Sequence, residues 1–201
     1  RAKALNSWHI PALKGMNIGR SIDTLDHFTN KTLEHIAHLK RINPDWVAFS
    51  FVGSAGQLER GKRLLTKHEM RPKIVAKLET PGALANLPEI VRACDIVMVA
   101  RGDLGLNAPL ETLGISQKRI VAAAKRARKP VIVATQILDS VLSYYVPSRA
   151  EILDLTNIVL DGVDGIMLTK ETGISKTPGR SVEVAANIIR AVEAVENDKR
   201  K

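Results

Sequence analysis

The sequence predicts an α/β protein built on a parallel sheet, and three observations predict it. Five short apolar runs rich in branched residues are each too short for most helices. Each is followed by a segment of helical period, at the spacing of βαβ units. Four of the five runs then stop in polar residues equipped for chemistry.

Residues 1–28 are interrupted by Pro11, Gly15 and Gly19, and form a lead-in segment ahead of a domain spanning 29–201. The first helix is expected over 29–41, with Leu33, Ile36, Ala37 and Leu39 at helical spacing, and Asn43-Pro44 ends it. Residues 46–52 make a strand and 54–67 a helix with Leu58, Leu64 and Leu65 inward. A strand over 73–78 and a return helix over 84–93 follow. Next come a strand over 95–100, a loop holding Pro109, and an alanine-rich helix over 116–128. The fourth strand covers 130–134, followed by a helical stretch over 136–143 and a second helix opened by Pro147 and capped by Ser148, reaching 160. The last strand is 164–168 and the final helix 181–197.

Composition narrows the function classes. Hydrophobic residues make up 45% and charged residues 25% of 201 residues, which suits one ordered globular domain or a large part of one. No apolar run approaches a membrane span and no secretory signal opens the chain, so no membrane partner is expected. The net charge of +9 fits an anionic substrate or a nucleic-acid surface. With only three Phe, two Tyr and two Trp to stack on bases, nucleic acid is not the expected partner. The single Cys94 cannot form an internal disulfide, which points to a reducing, cytoplasmic setting and to a small core residue at a helix end.

The organising stretch is Val99-Ala-Arg-Gly-Asp-Leu-Gly-Leu106. A buried parallel strand halts at Arg-Gly-Asp, at the edge where α/β folds place ligands. Gly102 removes the Cβ that would keep a ligand from the backbone amides, and Asp103 offers a hard oxygen beside them. A capped turn with a satisfied Asp is the plainer alternative. The other polar strand ends are Lys77-Leu-Glu79, Thr135-Gln136 and Thr169-Lys-Glu171. Glu79 and Asp103 from neighbouring strands would supply a small oxygen site of the kind Mg²⁺ tolerates, with waters and a phosphate completing it. Lys77, two residues before Glu79, lies on the same side of an extended strand and adds a fixed positive charge. A Lys77-Glu79-Asp103 salt-bridge cluster without metal is the alternative.

Residues 74–105 (IVAKLETPGALANLPEIVRACDIVMVARGDLG) and 129–172 (KPVIVATQILDSVLSYYVPSRAEILDLTNIVLDGVDGIMLTKET) resemble the catalytic barrel domain of pyruvate kinase. The ordered motifs Lys-x-Glu, Met-Val-Ala-Arg-Gly-Asp-Leu-Gly, Lys-Pro-Val-Ile-x-Ala-Thr-Gln, Pro-x-Arg-Ala-Glu and Ile-Met-Leu-x-x-Glu-Thr carry the likeness. The resemblance implies a parallel (β/α)8 TIM-type barrel, of which this chain holds about five β/α units, strands four to eight. It implies transfer of the phosphoryl group of phosphoenolpyruvate to ADP, with Mg²⁺ or Mn²⁺ as cofactor. By position, Lys77, Thr169 and Glu171 would be catalytic: Lys77 stabilising charge during transfer and on the enolate, Thr169 and Glu171 protonating enolpyruvate. Arg101, Gly102, Asp103 and Thr135 would bind substrate, and Glu79 and Asp103 would hold the divalent metal.

The sequence departs from the family at Gly53 (usually Arg), Lys170 (usually Gly), Ser148 (usually Thr) and Thr80 (usually Asn). The family's first three barrel strands, with its phosphate-binding Arg and K⁺ ligands, have no counterpart here. The missing strands are therefore expected from an N-terminal segment or another chain, and a homo-oligomer is expected. A metal-dependent lyase or aldolase acting on pyruvate enolate would use the same Lys77, Glu79 and Asp103. A non-catalytic barrel fragment paired with a partner is the third reading.

Overall fold

A computed structural model describes residues 30–199. The expected lead-in segment, 1–28, lies outside them. Five strands, β1 (Trp46–Phe49), β2 (Lys73–Leu78), β3 (Ile96–Ala100), β4 (Val131–Ala134) and β5 (Gly165–Met167), pair in parallel in sequence order. The helices are α1 (Asn30–Ile42), α2 (Ala55–Lys67), α3 (Pro81–Ala85), α4 (Leu87–Ala93), α5 (Arg101–Asn107), α6 (Leu113–Arg126), α7 (Arg149–Leu160), α8 (Lys170–Gly173) and α9 (Pro178–Asp198).

Period-two alternation divides each strand between two environments. Ile74, Ala76 and Leu78 of β2, Val97 and Val99 of β3, and Val131 and Val133 of β4 join the main core with Leu58, Ile90, Ile120, Leu155 and Ile158 from the helices. The opposite face holds a small separate cluster, Val75, Ile96, Met98 and Ala134, with Ile132 beside it. Two aspartates fix register at the amino ends. Asp95 accepts the Ile74 amide at 2.8 Å, and Asp164 accepts the Val131 amide at 2.9 Å.

Burial falls from the middle of the sheet outward. Every residue of β3 is buried, whereas β1 alternates exposed and half-buried positions and β5 has no buried residue. Among the described residues β1 pairs only with β2 and β5 only with β4, so both sheet edges present unpaired backbone. Beside β1 lies a groove of about 400 Å³ lined by His35, Val47, Phe49, Phe51 and Leu64.

Several elements differ from expectation. The helix expected over 84–93 is two helices meeting at Asn86, because Pro88 has no N–H to continue the first. The strand expected over 46–52 ends at Phe49, and Phe51 takes a positive φ of 52°. Arg101–Asn107, expected as a turn, winds into α5 despite two glycines. The helical stretch expected over 136–143 shrinks to one 3₁₀ turn, Asp139–Leu142. Ser148 caps α7 as expected, accepting the Glu151 amide while Glu151 reaches back to the Ser148 amide. Cys94 is buried at the end of α4, and burial pushes its thiol up to about 11, which suits a core residue.

Candidate active site

The carboxyl end of β2 places Lys77 and Glu79 on the face opposite the helix core, with the fully buried Leu78 between them pointing the other way. The Lys77 ammonium sits 2.7 Å from Glu79 Oε1 and donates to Ser50 Oγ at 3.0 Å. Lys77 keeps 23% of its side chain exposed and Glu79 none, so the ammonium is the part of the pair a ligand can reach. Glu79 Oε2 accepts the Phe51 amide at 2.6 Å, which accounts for the left-handed turn beyond β1.

Glu79 is electrostatically unsettled. Burial pushes its carboxyl above the ordinary range; Lys77 and the Phe51 amide pull it back, and Asp103 adds a further upward push. Its Oε1 contacts Lys77 as an ion pair outside hydrogen-bond angles and has no hydrogen-bond partner. A buried carboxylate met by one ammonium and pushed up by a second carboxylate is an environment that a divalent cation would relieve. The fit is limited in ligand number: among the described residues no group of three or more His, Cys, Asp or Glu side chains is arranged to hold a metal. Glu79 and Asp103 would hold one only with substrate and water oxygens completing the shell, as Mg²⁺ sites commonly allow.

Asp103 lies half-buried in the first turn of α5. Next to it the Gly102 amide donates to Thr135 Oγ1 at 2.8 Å, and a Cβ on Gly102 would stand 3.4 Å from that hydroxyl. Thr135 and Gln136 both have positive φ, 70° and 52°, a strained conformation for a β-branched residue. Arg101 holds them there. Its Nε donates to Thr135 O at 3.1 Å, Nη2 donates to Thr135 O at 2.9 Å and Gln136 O at 2.6 Å, and Nη1 donates to Asp154 at 2.6 Å.

Two of the expected site residues are tied into the chain itself. Arg101 is 7% exposed with its nitrogens turned to the chain's own carbonyls and Asp154, and so shapes the loop beside Gly102. Glu171 is fully buried; Oε1 accepts the Ile137 and Leu138 amides at 2.9 and 3.2 Å, and Oε2 accepts the Thr169 amide at 2.8 Å and its hydroxyl at 3.3 Å. Burial pushes its carboxyl up, but the backbone donors outweigh burial and hold it below the ordinary range. Glu171 thus anchors the β4 and β5 loops to one another through its carboxylate.

Of the departures from the family pattern, Thr80 and Ser148 are helix caps, Lys170 is exposed and Gly53 is buried just ahead of α2. Thr80 caps α3, accepting the Ala83 amide at 3.1 Å, and Lys170 is exposed at the start of α8. The Gly53 amide donates to Gln57 at 2.6 Å. Sequence reasoning missed Asn107, whose amide contacts the backbone of both Glu79 and Asp103. Nothing in its place near a glycine and a proline signalled it; only the winding of α5 brings it there.

These contacts form one belt across the strand ends, from Ser50 and Phe51 through Lys77, Glu79, Asn107 and Asp103, and from Gly102 through Thr135 to Ile137, Leu138 and Glu171. Similarity to known proteins agrees with it. The family model described as "Pyruvate kinase, barrel domain" matches residues 1–182. A pyruvate kinase of Mycobacterium tuberculosis is 43% identical over 182 residues, covering 90% of this chain and 38% of that protein. One from Thermococcus litoralis is 40% identical over 180 residues, again covering 90% and 38%. The crystal structure of pyruvate kinase from Pyrobaculum aerophilum superposes with a TM-score of 0.80 at 37% identity, over 83% of this chain and 40% of that one. The chain therefore spans about 38% of the length of those curated relatives, and it belongs to the pyruvate kinase family as a part of the catalytic barrel domain.

Proposed function

We propose that this chain supplies the cation-binding and enolate-stabilising half of a pyruvate-kinase barrel, moving the phosphoryl group of phosphoenolpyruvate to ADP to give pyruvate and ATP. The observation that carries the reading is the partly exposed Lys77 side chain, its ammonium 2.7 Å from an oxygen of the buried Glu79 carboxylate, with Asp103 near enough to push the Glu79 carboxyl up.

Bound Mg²⁺ or Mn²⁺ would neutralise phosphate and enolate oxygens. The chain's own residues do the rest. Glu79 and Asp103 hold the cation. Lys77, anchored by Ser50 and Glu79, presents its positive charge to the oxygen that becomes anionic as the phosphoryl group leaves. The Asp103 amide and the Thr135 hydroxyl receive the substrate carboxylate, the Gly102 amide joins them by exchanging its bond to Thr135 Oγ1 for one to the carboxylate, and the strained Thr135–Gln136 backbone is held ready by Arg101. Thr169, oriented by the ionised Glu171, is the hydroxyl placed to pass a proton toward the enolate. The barrel strands beyond β1–β5 would pair with those two edges and close a (β/α)8 barrel. The buried Cys94 thiol and the glycolytic reaction fit a reducing cytoplasm.

The test is pyruvate formation from phosphoenolpyruvate with Mg²⁺, with and without ADP, in the assembled barrel. ADP-dependent pyruvate is expected. Pyruvate released without ADP would favour a lyase, and no pyruvate in a complete barrel would leave a non-catalytic role.

A further inference from the structure

The ladder between β2 and β3 ends at Leu78 opposite Val99. Glu79 is therefore the first residue beyond it, and no neighbouring strand holds its carbonyl. That carbonyl is held instead from α5: Asn107 Nδ2 donates to Glu79 O at 3.0 Å. The same nitrogen donates to Asp103 O, one helical turn back, at 2.9 Å. A side-chain amide nitrogen carries two N–H donors in a fixed plane, and here each has a backbone carbonyl to itself. The two carbonyls also determine which way the amide faces, since Oδ1 turned toward them would be repelled. Oδ1 points away and is buried without a partner, an unfavourable arrangement that a residue present for packing would not need.

We propose that Asn107 is a positioning residue for the cation site: its amide ties the backbone of Glu79 to that of Asp103 and so sets the separation of their carboxylates. The inference rests on the reading of that pair as the cation ligands. From the other side Glu79 is fixed through its carboxylate, which accepts the Phe51 amide. The tether supplies the second fixed point, on the backbone. Leucine matches asparagine in size but donates nothing, and serine donates once.

The experiment is a Mn²⁺ titration of the full chain by electron paramagnetic resonance, with circular dichroism on the same samples. Outer partners of metal ligands typically matter by ten- to a hundredfold in affinity, so Asn107→Leu is expected to weaken Mn²⁺ binding about tenfold or more with its native spectrum retained. A merely structural role would lower the melting midpoint and leave the affinity of the folded protein unchanged. A folded Asn107→Leu variant binding within twofold of the parent overturns the tether. Should that variant not fold, Asn107→Ser takes its place, with about threefold weakening expected and an unchanged affinity overturning the proposal. Failure of the parent chain to bind Mn²⁺ would overturn the cation site itself, a result distinct from a parent that binds and variants that bind equally well.

Discussion

The two faces of the sheet differ in what they are built for. The helix-covered face holds Ile74, Leu78, Val97, Val99, Val131 and Val133 in one core with side chains from eight helices. The opposite face holds a patch of four buried residues, and beyond it the charged and hydroxylic residues of the strand ends. Each fully buried aliphatic side chain on the covered face contributes about 1.5–3 kcal/mol. The other face buries less and spends its geometry on a buried carboxylate paired with Lys77 and on left-handed backbone at Thr135 and Gln136. Stability and chemistry are therefore separated by the two-residue alternation of the strands, and a change on one face should leave the other's property largely alone.

The sharpest test of that separation is Lys77→Ala. Losing the one cation positioned on developing negative charge should cut turnover about 10²–10³-fold in the assembled barrel, with the circular dichroism spectrum retained. A variant of near-normal activity would place the essential charge elsewhere. The converse is Ile90→Ala in α4, which empties a fully buried position of the covered face. Urea unfolding should show a loss of about 2–5 kcal/mol, with Mn²⁺ affinity of the folded protein unchanged.

The smallest expected effect concerns a residue belonging to both categories. Glu171 is buried and gathers three backbone amides, so Glu171→Gln should cost about 1–3 kcal/mol at neutral pH. The folded-state carboxyl lies below its ordinary 4.5, so its stabilisation is complete above that value and is lost as the pH falls through the lower folded one. Urea midpoints for parent and variant should therefore differ most at pH 7 and converge below about pH 4. A gap that stays constant into acid would show that the carboxylate charge is not what anchors the loops.

What the sequence made legible follows the same division. The covered face announces itself by branched residues at period two and helices at period 3.6, so all five strands and the main helices stand where the pattern puts them. Lys77, Glu79, Gly102 and Thr135 were legible because strand ends gather at one edge of a parallel sheet. For Arg101 and Glu171 the sequence did not reveal their hydrogen-bond partners. Their roles depend on backbone atoms 33 to 35 positions away, which no local pattern reveals. The helix over Arg101–Asn107 was hidden by its glycines, and with it Asn107. The loop after β4 misled in the opposite direction, because its apolar spacing suits a helix while the Arg101 contacts and the Glu171 carboxylate draw its amides and carbonyls elsewhere.

The Arg101 fork has one more implication. A guanidinium gripping two successive carbonyls and an aspartate is complete before any small molecule arrives, so the kinked loop is already shaped without a ligand. Recognition there resembles a key entering a finished lock more than a hand closing. A lysine would preserve the charge yet lack the planar fork, and the loop would be free to relax toward extended backbone, slackening the proposed anion cradle without removing any group proposed to touch the anion.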